Sequence, residues 1–329
     1  KSRYAAELLF IGTARGIENK LVPEAGFELR LVQVGALKNV SMMKRVKTMF
    51  DLPRAVLNAG AMLSEFKADV VVGVGGYASG PAMIAAVLNG IPAVAFEPNA
   101  APGLVNKMVG RWVSAVAVHF EETKKYFPKA VVTGVPVRAE FFQQASALSS
   151  SKTLLVTGGS QGSRAINRAV SGALPLLAKI EGLQIIHQTG ERDHEETRAA
   201  YEKAGTAADV SPFISDMASA FAQAAVILCR AGASTVAEIA AAGKPAIFVP
   251  FPFAADDHQT RNAEALASHG AAVILAEKDL TPKSLAKAVT ELLGDAARLR
   301  EMSAKAKALA HPRAAEKIAE MVKQFAEKA

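Results

Sequence analysis

The segment Leu228-Cys-Arg-Ala-Gly-Ala-Ser-Thr-Val-Ala-Glu238 passes from an apolar run through a glycine-bearing turn into a helix that opens with Ser234, Thr235 and, one turn in, Glu238. A strand, a tight turn and a helix start make a pocket for an anion. The amides and the positive dipole end would face phosphates, while the carboxylate would accept hydrogen bonds from sugar hydroxyls. The same residues also suit a plain Ser/Thr helix cap with a glutamate turned to water, so the other loops must decide between the two.

Two further loops carry polar groups to strand ends. After the run Ala246-Ile-Phe-Val249, the chain delivers Asp256, Asp257, His258, Gln259 and Asn262, a set suited to a hydroxyl-rich ligand. Asp256 or Asp257 also suits a cap on the helix through Arg261 to Leu266, and the adjacent acids lack the further ligands a cation would need, so no metal is expected. In the first half, Glu97, Asn99 and Asn106 follow the run Ala93 to Phe96.

Glycine-rich turns occur once in each half, Gly73-Val-Gly-Gly-Tyr-Ala-Ser-Gly-Pro81 after Val70-Val-Val72, and Thr157-Gly-Gly-Ser-Gln-Gly-Ser163 after Leu154-Leu-Val156. Glycines there let backbone approach a ligand closely, and Pro81 suits the first turn of the next helix. Neither turn carries the GK[ST] of a P-loop or the spacing of a dinucleotide fingerprint, which argues against ATP and NAD chemistry; no cofactor is expected.

The elements that position these loops are legible as short aliphatic runs alternating with helical patterns: Leu8–Ile11, Val70–Val74, Ala93–Phe96, Val113–Val118, Leu154–Thr157, Ile185–His187, Val226–Leu228, Ala246–Val249 and Val273–Leu275. Such alternation predicts an α/β protein with doubly wound parallel sheets covered on both faces. A polar connection at Gln143 to Ser151 divides the runs into two sets. The expected domains are 1–136, 137–311 and a C-terminal helix at 312–329 packing back on the first.

With 329 residues and 50% hydrophobic content the chain can bury two cores, and its apolar stretches are too short for a membrane span. The single cysteine, Cys229, reads as a small buried hydrophobe. Net charge is +7, and its distribution is uneven: Lys38, Lys44, Arg45, Lys47 and Arg54 interleave with Met42, Met43, Val46, Met49, Phe50 and Leu52, against Asp51 alone. That spacing gives one apolar and one basic helix face, suited to an anionic membrane surface or to packing on the chain's own core. The few aromatic residues show no stacking pattern, which argues against nucleic acid.

Six collinear segments resemble the MurG family of bacterial N-acetylglucosaminyltransferases: Gly75-Gly-Tyr-Ala-Ser-Gly-Pro81, Glu97-Pro-Asn-Ala-Ala-Pro-Gly-Leu-Val-Asn-Lys107, Gly158-Gly-Ser-Gln-Gly162, Phe213-Ile-Ser-Asp-Met217, Arg230 through Pro245 and Asp256-Asp-His-Gln-Thr-Arg-Asn-Ala263. The resemblance implies a GT-B fold, two Rossmann-like domains with a cleft between them. It implies inverting, metal-independent transfer of GlcNAc from UDP-GlcNAc to the C4 hydroxyl of MurNAc in undecaprenyl-pyrophosphoryl-MurNAc-pentapeptide, lipid I, at the cytoplasmic face of the bacterial inner membrane.

By that resemblance Ile214 offers its backbone to uracil, Ala233, Ser234, Thr235, Val236 and Ala237 hold the diphosphate at the helix start, and Glu238 binds the ribose. Arg138 and Ser160 match positions near the diphosphate, and Asn99 and Gln259 positions near the GlcNAc. Tyr77, Glu97 and Asn106 lie on the acceptor side. Met42, Met43, Lys44, Arg45, Val46, Phe50 and Trp112 form the membrane contact, with Lys107 and Arg111 beside it, and a cell-wall synthesis or division complex is an implied partner. His258 is expected to contact the donor sugar; His119, His187, His194, His269 and His311 read as structural or surface residues.

Three departures stand out. Phe96-Glu-Pro-Asn99 replaces the family's usual His-Glu-Gln-Asn, Phe253 stands where relatives often have His, and the N-terminal GGTGGH loop that carries the family's candidate base is absent, so the first domain is expected to be truncated at its start, with the base upstream of Lys1. A UDP-sugar epimerase of the same fold and a non-catalytic nucleotide-sugar-binding membrane scaffold remain as alternatives.

Overall fold

The computed structural model describes residues 4–14, 16–33, 42–143 and 152–327, and the side chains of 42–50 and 77 lie outside the description. The chain divides into two compact units, one of Lys1–Glu97, Pro102–Thr133 and Glu316–Ala329, the other of Pro98–Ala101 and Gly134–Ala315.

The first unit runs β1 (Leu9–Gly12), α1 (Glu18–Glu24), β2 (Glu28–Leu31), α2 (Met42–Phe66), β3 (Val71–Gly73), α3 (Gly76–Leu88), β4 (Ala93–Glu97), α4 (Leu104–Val109), β5 (Ala115–Val118) and β6 (Ala130–Val132). Strands β1 and β2 pair in parallel, and β3, β4, β5 and β6 form a parallel sheet in that order. The central β4 and β5 are buried along nearly their whole length, which is why they read as unbroken apolar runs without alternation. Helix α2 continues well past the basic stretch, to Phe66, and its Ala59 and Leu63 enter the core beside Val71, Met83 and Ala86.

The second unit runs α5 (Ala139–Gln143), β7 (Lys152–Thr157), α6 (Arg164–Leu177), β8 (Leu183–Gln188), α7 (His194–Ala204), β9 (Ala208–Ser211), α8 (Met217–Gln223), β10 (Val226–Cys229), α9 (Ala233–Ala242), β11 (Ala246–Phe248), α10 (His258–Ala267), β12 (Ala272–Ile274), α11 (Pro282–Leu293) and α12 (Ala296–Ala308). Helix α13 (Ala314–Ala326) follows; its Lys323 lies over the Tyr4 ring at 5.4 Å within the first unit.

Strand order in the second sheet is β12-β11-β10-β7-β8-β9, all parallel. Register places Thr157, Gln188, Ser211, Cys229 and Phe248 in one row, so every loop leaving a carboxyl end emerges at the same edge. Strand succession reverses between β7 and β10, the crevice where an open α/β sheet takes its ligand. Behind that edge Leu154, Val156, Leu174, Val226, Leu228, Ile247 and Leu285 close the core. Each fully buried aliphatic side chain stabilises by roughly 1.5–3 kcal/mol, enough to hold the loop stems rigid.

Three strands escape the sequence pattern: β2, β6 and β9, each at the end of its sheet or pair and half exposed. Pro81 also differs from expectation. Helix α3 starts at Gly76 behind Gly75 at φ +86°, so Pro81 sits in the second turn and removes an intrahelical amide donor.

Candidate functional site

At the switch point, β10 ends at Cys229 and α9 begins at Ala233. Gly232 is the N-cap, and among the described residues no side chain caps the helix. The first bond of α9 is Val236 N–H to Gly232 O at 2.9 Å, so the amides of Ala233, Ser234 and Thr235 have no helix partner. This decides against the plain Ser/Thr cap: Ser234 is exposed, Thr235 half-buried, and the helix start is open to an anion. Glu238 is half-buried one turn in, and burial raises its carboxyl above the ordinary 4.5 while the Arg138 guanidinium acts in the opposite direction. Burial first, and then the Glu238 charge, push the neighbouring Cys229 thiol far up, which leaves it protonated and inert.

Across the crevice, the turn after β7 presents exposed Ser160 and closes at Ser163, whose hydroxyl caps α6 by accepting from Ile166 N–H. Gly159 and Gly162 have φ of +85° and +71°. A Cβ on Gly162 would overlap the Thr189 carbonyl oxygen, and one on Gly190 would stand 2.5 Å from Gln161 O, so the turns after β7 and β8 interlock backbone to backbone. Beneath them lies a buried polar network. His187 contacts Tyr201 Oη at 3.0 Å and Asn167 Oδ1 at 3.1 Å, and Asn167 Nδ2 donates to Thr189 O at 2.9 Å. Asp193 Oδ1 accepts from Arg164 Nε and Nη2, both at 3.1 Å. Because Asn167 Oδ1 can only accept, His187 carries its proton on Nε2, and burial pushes its pKa down to about 3.

The loop after β11 is shaped by long-range bonds. Arg230 donates to Val249 O at 3.1 Å and Pro250 O at 3.2 Å, pairs with Glu277 and lies over the Phe251 ring at 5.4 Å. Gln259 Oε1 accepts from Phe251 N–H at 3.0 Å, leaving its amide nitrogen directed elsewhere. Asp256 and Asp257 both have φ of +54°, the left-handed region. Asp257 is the N-cap of α10, but its side chain accepts from Thr260 Oγ1 at 2.6 Å and no side chain caps the helix amides there, among the described residues. His258 Nδ1 contacts Ala255 O at 2.8 Å.

In the first unit, Glu97 is 2% exposed and accepts from Gly103 N–H and Asn106 Nδ2, each at 2.9 Å. Asn106 Nδ2 also donates to Phe96 O at 3.0 Å, which fixes both side chains, Asn106 beside Gly75 at the start of α3 and Glu97 beside Gly103 at the start of α4.

Family models match both halves: the glycosyltransferase family 28 N-terminal domain over residues 2–118 and the C-terminal domain over 153–318. A Syntrophus aciditrophicus (strain SB) protein named UDP-N-acetylglucosamine–N-acetylmuramyl-(pentapeptide) pyrophosphoryl-undecaprenol N-acetylglucosamine transferase is 46% identical over 317 residues, 94% of this chain and 88% of the relative. A Syntrophotalea carbinolica (strain DSM 2380 / NBRC 103641 / GraBd1) protein of the same name is 44% identical over 95% of this chain and 88% of its own. The crystal structure of Acinetobacter baumannii MurG superposes with a TM-score of 0.82 at 34% identity, covering 98% of this chain and 92% of that one. The chain belongs to glycosyltransferase family 28 and, within it, to the MurG proteins.

The fold is therefore GT-B, and this MurG-family chain gathers Arg138, Ser160, Ile214, Gln259, Asn99 and the start of α9 in its second unit. Glu97 and Asn106 belong to the first unit, as do Lys107, Arg111 and the 63% exposed Trp112. The side chains of Tyr77, Met42, Met43, Lys44, Arg45, Val46 and Phe50 lie outside the described residues, as do Lys38 and the connection from 144 to 151. Sequence reasoning missed Gln188, Arg230 and the Asn167–His187 pair. A polar residue closing an apolar run at a strand's carboxyl end, as Gln188 does, is the signal that was available.

Proposed function

We propose that this chain transfers GlcNAc from UDP-GlcNAc to the C4 hydroxyl of MurNAc in undecaprenyl-pyrophosphoryl-MurNAc-pentapeptide, inverting the anomeric centre and releasing UDP. The uncapped start of α9 with Glu238 one turn inside carries this reading. Amides of Ala233 to Thr235, and the dipole behind them through Val236 and Ala237, bind the diphosphate and stabilise the negative charge that grows on UDP as the glycosidic bond breaks. Arg138 and Ser160 add to the diphosphate site, Ile214 presents its backbone to uracil, and Glu238 accepts from the ribose hydroxyls. Gln259 and Asn99 contact the GlcNAc. On the acceptor side stand Tyr77, Glu97 and Asn106. No base is assigned within residues 1–329.

The acceptor is a lipid, and the first unit carries features suited to an anionic membrane surface. Lys107, Arg111, Lys124 and Lys125 line one cavity of about 320 Å³ with Tyr126, and Trp112 and Met108 are exposed nearby in sequence. Met42, Met43, Lys44, Arg45, Val46 and Phe50 supply the same mixture on α2. Each basic residue near such a surface contributes about 1 kcal/mol. Binding is peripheral, at the cytoplasmic face, where a cell-wall synthesis or division complex would also be met; among the described residues no helix is long and apolar enough to cross a membrane.

UDP-GlcNAc tritiated at C2, incubated with and without a lipid I analogue, tests the reaction. Label should appear in the lipid product only when acceptor is present. Tritium released to water without acceptor would identify an epimerase and overturn the transferase reading.

A further inference from the structure

Gln188, the last residue of β8 and 2% exposed, touches the loops on both sides of its own strand. Its Nε2 donates to Gly159 O at 3.0 Å in the turn after β7 and to Oγ1 of Thr157, the last residue of β7, at 3.2 Å, while its Oε1 accepts from Ile214 N–H at 2.8 Å in the turn after β9. The amide orientation is dictated by its partners, because Gly159 O only accepts and Ile214 N–H only donates. Backbone bonds continue the connection, Thr189 N–H to Ser211 O and Gly190 N–H to Pro212 O, both at 3.0 Å.

The two bridged turns do different work in the donor reading given above, on which this inference rests: one faces the diphosphate and the other the base. We propose that Gln188 is a positioning residue that holds the Ile214 backbone at a fixed spacing from the Gly159 turn, and that this spacing selects uracil over cytosine in the nucleoside diphosphate. With its N–H held by Gln188, Ile214 offers its carbonyl to the base. Uracil presents an N3–H that a carbonyl accepts; cytosine presents a bare N3 that it repels. A carbonyl allowed to wander from its place loses that discrimination, whereas phosphate binding at α9 persists.

Full-length wild type, Gln188→Met and Gln188→Glu are compared with UDP-GlcNAc and CDP-GlcNAc as donors. Methionine keeps the length and removes all three bonds; glutamate keeps the acceptor for Ile214 N–H and stays joined to the Gly159 turn by accepting from the hydroxyl of Thr157, whose Oγ1 holds Gly159 N–H, while the donation to Gly159 O is lost. The ratio of kcat/KM between donors cancels the folded fraction, so partial unfolding of a variant does not disguise the result. Gln188→Met should raise the UDP-GlcNAc KM about tenfold with kcat within about threefold, and lower the uracil preference about tenfold or more. Gln188→Glu should keep a preference within about threefold of wild type. An unchanged preference in Gln188→Met, or a preference lost in Gln188→Glu, overturns the positioning role alone. A wild type that uses both donors equally overturns the donor reading, and this inference with it.

Discussion

Asn262 Nδ2 donates to Asn99 Oδ1 across 3.1 Å, while Asn262 Oδ1 accepts from Ala100 N–H at 2.8 Å. A third bond, Nδ2 to Ala231 O at 3.1 Å, joins the same fully buried side chain to the turn that leads into α9. One amide thus fixes the proposed GlcNAc-side Asn99 relative to the proposed diphosphate site. Asn262→Ala removes three hydrogen bonds, two of them buried, which should cost about 3 kcal/mol in a urea titration. The donor KM should rise as well, and a fully stable Asn262→Ala with normal KM would remove the residue from this role.

Glu238 sets function against stability. Burial raises its pKa, so folding favours the protonated form; its contribution to stability is greatest below pH 4.5 and declines as pH rises through the raised value. Binding ribose as an acceptor calls for the ionised form. Glu238→Gln should therefore melt at a higher temperature than wild type at pH 7, yet show a UDP-GlcNAc KM raised about tenfold with a smaller change in kcat. Calorimetry and steady-state kinetics on one preparation read both.

His187 gives the opposite pH signature. Its folded pKa is depressed from 6.5 to about 3, so its contribution is complete above pH 6.5 and is lost as pH falls toward 3. The slope for this one group is about 1.4 kcal/mol per pH unit. In His187→Gln that component should vanish, and denaturation curves collected between pH 6.5 and 4 should show a shallower pH dependence than wild type.

Membrane attachment through α2 predicts that Lys44→Glu with Arg45→Glu lowers the partition constant onto vesicles rich in anionic lipid by about thirtyfold or more, from a loss of at least about 1 kcal/mol at each of the two reversed charges. Turnover of a short-chain, water-soluble acceptor analogue should be unchanged. Equal sedimentation of the variant and wild type would place the contact elsewhere.

The interior strands were readable because β4, β5, β7, β10 and β11 are buried on both faces and spell continuous aliphatic runs. Half-polar Glu28-Leu-Arg-Leu31 and Ala208-Asp-Val-Ser211 did not read as strands, since their place at a sheet edge is set by a neighbour, not by their own pattern. The loops that carry Ser160, Glu238 and Gln259 were legible from glycine and polar spacing. Their fastening was not: Asn262 reaches Ala100, Arg230 reaches Glu277, and Gln188 reaches two turns at once, pairings that no local spacing encodes.

The interlock of Gly162 with Thr189 and of Gly190 with Gln161 bears on any attempt to redesign this scaffold for a different sugar nucleotide. Neither turn can be exchanged alone, because a donor loop with one added methyl group would collide with the main chain of the loop left behind. The residues from 158 to 163 and from 188 to 193 form a single transplantable cassette, and chimaeras that move both together are the ones with room to fold.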